Sequence, residues 1–426
     1  MAITMFVLFF GLIFLNVPIA VSLGIAASAG LLMFGMPLSV VPNLMYSSVA
    51  KFNLLAIPYF ILAGVIMDYA GISRRLIKFA SVCVGHIRHG MIIVVVVVAC
   101  FFAAISGSGP ATVAALGAIL IPAMIAAGYD PALSTGLMAS AGAIGIIIPP
   151  SIAFVVYASI SDVSISRIFS GGILPGLLMG AAYVIAAIWG SQRDKHLIVK
   201  QPRATAAERW KAGKEAFWGL MTPVIILGGI YGGIFTPTEA AGVAIVYSLL
   251  VGVVIHREVK IKTLYKIFVD AAVTSGTVMY IVACASVFAW ILTTSHIATD
   301  MSNALLALSS NKAILLIIIN IIFLIAGCFL DATSAIYILV PIMLPVIRAI
   351  QVNPIHFGVI VTVNLAIGQV TPPVGVNLYV ASNIVKIPVL DVVRRIMPYI
   401  FWGVVALLAI TYIPWLTMFL ANLTRV

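Results

Sequence analysis

The feature that most constrains this chain is a polar break in the middle of an apolar run. MIIVVVVVACFFAAI leads into Ser106-Gly107-Ser108-Gly109-Pro110, and ATVAALGAILIPAMIAAG leads out. Glycine is a poor helix former, and proline brings no backbone donor. In hydrocarbon an unpaired backbone group costs several kcal/mol, so such a break survives only where it is buried in protein or lines a polar cavity. The break is therefore a candidate binding site.

A second copy of its surroundings follows. Pro122 recurs as Pro345, an offset of 223 positions (345 − 122 = 223). The same offset relates Pro131 to Pro354, Gly145 to Gly368, Pro149 and Pro150 to Pro372 and Pro373, Ser159 to Ser382, and Pro175 to Pro398. Apolar coincidences mean little in so apolar a chain, but coincident Gly, Pro and Ser positions point to an internal repeat. Interrupted segments at corresponding places in two halves are a sequence pointer to a transporter's binding site.

Composition supports a membrane setting. The 426 residues are 63% hydrophobic and 8% charged, with a mean hydropathy of +1.23, against about 25% charged in soluble domains. Continuous runs such as LLIIINIIFLIAG exclude the alternation of a transmembrane barrel. The reading is an all-α polytopic membrane protein in a lipid bilayer. The net charge of +11 gathers in a few loops, as the positive-inside rule would have it, and argues for no nucleic-acid partner. Cys83, Cys100, Cys284 and Cys328 lie far apart and form no CxxC, so core packing is their expected role. The N-terminal segment lacks the basic start and cleavage site of a signal peptide and reads as the first membrane helix.

The division expected along the chain has six parts. Residues 1–90 form the scaffold helices of the first half, with breaks at Asn16-Val17-Pro18 and near Pro58. Residues 91–170 form its transport core: a re-entrant hairpin over 91–127 and an interrupted helix over 132–161. Hairpin arms of roughly 15 residues span about 22 Å, short for crossing and right for reaching mid-membrane. Residues 171–216 are a return helix (171–190) and a basic amphipathic connector that lies on the cytoplasmic surface. That connector carries Arg193, Lys195, Lys200, Arg203, Arg209, Lys211 and Lys214. Residues 217–312 repeat the scaffold, with two short spans over 217–255, a crossing over 267–294 and an external loop. Residues 313–395 repeat the core, as a hairpin over 313–349 and an interrupted helix over 355–385. Residues 396–426 hold the last helix. Five crossings per half make the two repeats inverted, with both chain ends outside.

The four breaks, at 106–110, 145–151, 328–334 and 368–375, are expected to converge. They offer Ser106, Ser108, Thr371, Asn377 and free carbonyls, which are neutral oxygen donors. Unwound carbonyls and half-helix C-termini suit Na⁺, and half-helix N-termini suit an anionic substrate. Pro110 and Pro150 are read as first residues of half-helices. A proton route would need Asp, Glu or His along it, and in the membrane the repeat cores offer only Asp331, so Na⁺ coupling is favoured. Asp331 is read either as a substrate or cation ligand, or as a helix N-cap. Glu239 reads as part of a cap, Lys51 and Arg348 as side chains that snorkel, and His356 as an interface residue. No motif or paired catalytic groups suggest an enzyme.

SGSGPATVAALGAILIPAM, GAIGIIIPPSIAFVVYA, LDATSAIYILVPIMLPV and GQVTPPVGVNLYVAS resemble the large membrane subunit of tripartite ATP-independent periplasmic (TRAP) transporters, over essentially the whole chain. The resemblance implies an elevator-type secondary transporter of the bacterial inner membrane. It implies uptake of a carboxylate, a C4-dicarboxylate or sialic acid (N-acetylneuraminate), driven by Na⁺ and delivered by a periplasmic substrate-binding protein. It also implies a small four-helix membrane subunit, expected here as a separate chain. Carried onto this sequence, one sodium site would fall on Ser106, Ser108, Gly145 and Ile148, and another on Gly327, Gly368 and Thr371. Substrate would lie near Ser108, Ser151 and Asp331. A hydroxyl-rich acid suits Asp331, which favours sialic acid. The alternative is a stand-alone Na⁺/carboxylate carrier that needs no binding protein.

Overall fold

A computed structural model describes residues 2–193, 202–309 and 311–424, so Lys195 and Lys200 of the connector lie outside the described residues. These residues fold into helices, joined by short turns. The first group is α1 (Ala2–Phe14), α2 (Ile19–Met33), α3 (Val40–Val49), α4 (Ala56–Tyr69) and α5 (Ile72–Val84). Asn16 in the left-handed region and Pro18 separate α1 from α2, as the sequence predicts. The interruption expected near Pro58 lies earlier, over residues 50–55. Pro58 sits in the first turn of α4, where its missing N–H has no helical partner to lose.

The hairpin α6 (Gly90–Ser106) and α7 (Gly109–Ala126) turns at Gly107. α8 (Pro131–Ala143) and α9 (Ile152–Ser161) are the two halves of an interrupted helix. Asp130 caps α8 by accepting from Leu133 N at 2.8 Å, with Pro131 in the first turn. α10 (Ile165–Gly190) starts earlier than the expected return helix, because Ser164 caps it by accepting from Arg167 N. The boundary drawn at 170/171 therefore falls inside a helix.

α11 (Ala206–Tyr231) is one continuous helix. The connector's amphipathic helix and the first span over 217–255 are not separate, and the boundary at 216/217 disappears. Nothing breaks the helix there, since Ala216, Phe217 and Trp218 all continue it. α12 (Pro237–Leu249) starts with a capping box of Thr236 and Glu239 and widens into a π-helix over residues 250–255. α13 (Ile261–Thr294) is 34 residues long, about 51 Å at 1.5 Å per residue. The loop expected before the second hairpin contains α14 (Ile297–Leu308).

α15 (Lys312–Phe329) and α16 (Ala332–Ala349) make the second hairpin, followed by α17 (Pro354–Gly368) and α18 (Val376–Val385). Asn353 caps α17 with Pro354 in its first turn, the same device as at α8. α19 (Val389–Tyr412) contains Arg394 and Arg395 rather than following them, so the 395/396 boundary also cuts a helix. The last helix ends at Ile413-Pro414, and α20 (Trp415–Leu423) follows. Eight of the described helices are long and apolar enough to cross a membrane.

The helices pack in two sets, joined where α13 and α14 pack on α16 and α5 packs on α6. α4 packs on α12 and α13, α13 on α2 and α3, and α5 on α11. In the other group α7 packs on α8 and α18, α16 on α9, α15 on α17, and α10 on α17, α19 and α20. Each hairpin thus supplies an arm that touches the broken helix of the other half. The second group holds a buried polar string: Asn364 Nδ2 donates to Asn320 Oδ1 at 2.8 Å, and Asn320 Nδ2 to Thr411 Oγ1 at 3.1 Å. All three are almost fully buried.

Asn320→Leu leaves the Asn364 amide with only its bond to Ile360 O at 2.8 Å, one buried N–H unpaired, and should cost about 1–3 kcal/mol. The double variant Asn320→Leu/Asn364→Leu removes both partners and should recover most of that loss. Thermal midpoints of the two variants in detergent check this; equal midpoints would show that the pair is not coupled.

Candidate functional site

The first tip is organised by its own hydroxyls. Gly107 holds φ 62°, the left-handed turn that ends α6, a conformation that costs other residues roughly 1–2 kcal/mol. Ser106 Oγ lies 2.7 Å from Thr112 Oγ1, and Thr112 Oγ1 donates to the Ser108 carbonyl at 2.8 Å. Gly145 belongs to the same cluster: a Cβ there would stand 2.8 Å from both the Ser108 carbonyl and Thr112 Oγ1. Ser108 is half-buried and precedes the first turn of α7 without a side-chain cap bond. The sequence reading missed Thr112, although its spacing of four from Ser108 on a helix was a usable signal.

The breaks hold one another. Ile152 N donates to the Gly107 carbonyl at 3.2 Å, and a Cβ on Gly107 would meet Pro150 O at 2.7 Å. On the other side Gly109 abuts the side-chain amides of Gln369 and Asn377. Asn377 Nδ2 donates to Ala139 O at 3.2 Å, while Gln369 Oε1 and Asn377 Oδ1 are buried without a partner among the described residues. The second break then meets the second tip. Gly327 and Gly368 touch backbone to backbone, and Val374 N donates to Cys328 O at 3.3 Å. Thr371 N donates to Gly368 O at 3.0 Å, and its hydroxyl donates to Ile367 O at 2.7 Å.

A cavity of about 670 Å³ opens between α4, α13 and the first tip, lined by Gly64, Asp68, Ser106, Ser108, Asp270 and Thr274. Gly64 lets the tip approach: a Cβ there would already be 3.5 Å from the Ile105 carbonyl oxygen and Ser106 Cα. Arg74, on the basic rim, lines the same cavity and is paired with Glu258 at 2.6 Å.

Comparison with known proteins decides what this arrangement belongs to. The family described as "Tripartite ATP-independent periplasmic transporter, DctM component" matches residues 6–416. The chain belongs to this family, as the large membrane subunit of a TRAP transporter. It is 41% identical over 403 residues to the C4-dicarboxylate TRAP transporter large permease protein DctM of Pseudomonas aeruginosa, covering 94% of each chain. It is 38% identical over 407 residues to the 2,3-diketo-L-gulonate TRAP transporter large permease protein YiaN of Escherichia coli, covering 95% of each. Against the isethionate TRAP transporter permease protein DctMQ of Oleidesulfovibrio alaskensis it is 44% identical over 416 residues. That match takes 96% of this chain and 64% of the relative, so the chain spans less than two thirds of that longer protein. Among solved structures, the Alcanivorax borkumensis YdaH transporter shares the fold at a TM-score of 0.65 and 14% identity, over 90% of this chain and 88% of that one. The TRAP subunit is a multi-pass protein of the bacterial inner membrane.

Within this TRAP subunit the sequence candidates fall into separate places. Ser106, Ser108 and Gly145 are brought together, and the side chain of Ile148, three residues on in the same break, lies against Gly176 of α10. Gly327 and Gly368 meet at the second tip with Thr371 beside them, and the neighbouring Gln369 reaches Gly109 of the first tip. Ser151 is almost fully buried and caps α9, accepting from Phe154 N at 3.3 Å while its hydroxyl donates to Ile146 O at 2.5 Å. Pro150 therefore precedes the cap instead of opening the helix, and Pro110 is the second residue of α7, not the first. Asp331 is an N-cap: its carboxylate accepts from Thr333 N at 2.9 Å, Ser334 N at 3.2 Å and Ser334 Oγ at 2.5 Å. It does not line the cavity that holds Ser106 and Ser108. Lys51, read as snorkelling, donates to the Ser159 carbonyl at 3.0 Å.

Gly107→Ala should abolish transport, because the new methyl meets the fixed Pro150 carbonyl and the left-handed turn becomes strained. Gly228→Ala is the control: nothing lies within 4 Å of a Cβ there, so stability should hold or rise slightly. Uptake and thermal midpoint measured on both variants check this, and a Gly107→Ala protein with native uptake would show that the tip geometry is dispensable.

Proposed function

We propose that this TRAP subunit imports a small organic acid together with Na⁺, by moving the hairpins and broken helices as a body against the scaffold helices. The observation that carries the reading is the cavity in which Ser106 and Ser108 of the first tip face α4 and α13. It sets the polar tip of the first hairpin against the scaffold helices α4 and α13. The order of elements supports two inverted repeats, since hairpin, broken helix and long helix follow one another twice. Ser106 Oγ, the Ser108 carbonyl and Thr112 Oγ1 are neutral oxygens of the kind a hard cation takes. Gln369 Oε1 and Asn377 Oδ1, buried beside Gly109 and unpartnered among the described residues, fit the same need. Bound Na⁺ would offset the charge of an acid, because Arg74, which lines the same cavity, is already paired with Glu258.

The substrate class is best taken as small organic anions. The relatives are named for C4-dicarboxylate, diketogulonate and isethionate. The argument for N-acetylneuraminate leaned on a free Asp331, whose carboxylate is engaged within its own helix. A periplasmic binding protein and a small membrane subunit complete the system in this reading.

Reconstitution in proteoliposomes with a panel of binding proteins and acids tests it. Uptake should require a Na⁺ gradient, the binding protein and the small subunit together. Uptake by the large subunit alone would establish a stand-alone carrier instead, and uptake indifferent to Na⁺ would remove the coupling. Thr112→Val keeps the shape and deletes one oxygen; it should raise the half-saturating Na⁺ concentration by about tenfold, a loss of roughly 1.4 kcal/mol. An unchanged Na⁺ dependence would take Thr112 out of the cation site.

A further inference from the structure

A second cavity, of about 1020 Å³, lies between α5 and the start of α11 and shares no lining residue with the first. Arg203, Arg209 and Lys214 line it, together with Phe79, Trp210 and Trp218, and no carboxylate among the described residues does. Arg209 is half-buried, and its Nε and Nη2 have no hydrogen-bond partner among the described residues. Lys214 Nζ sits 5.3 Å from the centre of the Trp210 ring, so a cation and an aromatic face are already held side by side. Trp210 is 69% exposed and Trp218 36%, unusual for rings not meant to be covered. Because α11 runs unbroken from Ala206 to Tyr231, this wall continues onto the apolar second half of the same helix. The cleft thus sits where the charged start of α11 gives way to apolar surface, on the side of the basic loops.

We propose that this cleft holds the phosphate headgroup of an anionic phospholipid, with Arg209 and Lys214 on the phosphate and Trp210 and Trp218 against the glycerol and upper acyl chains. Charge complementarity selects the anion, since three cations and, among the described residues, no carboxylate line the cleft. The apolar wall, continuous with the apolar second half of α11, selects a lipid over a soluble phosphate or a protein surface. Tryptophan favours that interfacial depth, and basic clusters next to a membrane helix attract anionic headgroups. The proposal is independent of the transport reading above: a lipid can anchor α11 to α5 whatever the subunit carries.

The test uses the full chain, delipidated in detergent and then given phosphatidylglycerol, phosphatidylcholine or inorganic phosphate. Phosphatidylglycerol should raise the thermal midpoint, and the other two should not. Arg209→Gln/Lys214→Gln should bind phosphatidylglycerol about tenfold more weakly or worse while keeping the wild-type midpoint in phosphatidylcholine. Phosphatidylglycerol brominated high on its acyl chains should quench tryptophan fluorescence in the otherwise native protein, and Trp210→Phe should lose that component. The quenching measurement needs no charge variant, so it stands even if the double substitution fails to fold. Equal phosphatidylglycerol binding by the double variant would overturn the proposal. So would stabilisation by inorganic phosphate alone, or quenching that vanishes once the small membrane subunit is bound, which would make the cleft a protein interface.

Discussion

Everything in the transport core follows from the cost of leaving a peptide group unpaired in hydrocarbon. Each of the four helix breaks frees donors and acceptors that its own helix cannot satisfy. The structure answers by pairing breaks with breaks. The Gly107 carbonyl takes Ile152 N, Cys328 O takes Val374 N, and Asn377 N goes to Gln369 O at 3.1 Å. Side chains finish the task locally, as Ser151 does for Ile146 O and Thr371 for Ile367 O. A hairpin tip therefore has a partner within its own half, and neither element is complete without the other.

Such pairing demands close approach, which explains where small residues stand. Gly368 and Gly327 allow two backbones to touch; a Cβ on Gly368 would lie 2.5 Å from the Gly327 backbone. Gly145 has the same relation to Ser108. Van der Waals packing drives association between membrane helices, and small residues permit it. Scaffold glycines differ: Gly11, Gly228 and Gly276 face open space, and a Cβ on Gly30, Gly219 or Gly229 would meet the side chains of Met5, Ile72 and Phe235. Glycines pressed against the backbone of a break are Gly107, Gly145, Gly172 and Gly368, where polar backbone must be brought to polar backbone.

Much of the core was legible in the sequence because breaks are written in residue types. Ser106-Gly-Ser-Gly-Pro110 and the paired Pro149-Pro150 and Pro372-Pro373 cannot be read as quiet helix, and their common offset linked the halves. Helix ends were harder. Nothing in AFWGL over residues 216–220 separates a surface helix from a membrane span, so α11 was divided where only polarity changed. Pro58 misled because proline in a first turn and proline in a break look alike in sequence. Arg394 and Arg395 were placed before the last helix because charge suggested a loop, yet Arg395 is paired across to Asp130 at 3.6 Å within the core. Side-chain bonding was least legible. Asp331 is followed by Thr333 and Ser334, which fits a cap as well as a ligand, and only the geometry shows its carboxylate capping α16. Thr112 escaped because its role depends on Ser108 O and Gly145 standing within reach.

The capping carboxylate of Asp331 changes how an acid can be held. A free intramembrane carboxylate would repel an anionic substrate unless a proton or cation intervened. Tied to Thr333 N, Ser334 N and Ser334 Oγ, it instead neutralises the positive end of α16, so that helix N-terminus is already spent on an internal anion. α7 is different. Its N-terminus begins at Gly109 behind Ser108, whose side chain makes no cap bond, and it carries no acidic residue in its first turn. Of the two hairpins, the first alone leaves its helix dipole unanswered, and it alone lines the cavity at the seam with α4 and α13. The two tips are therefore unlike in chemistry despite their matching positions in the chain. An incoming anion would find a favourable helix end at α7, beside the oxygens of Ser106 and Thr112 that suit a cation.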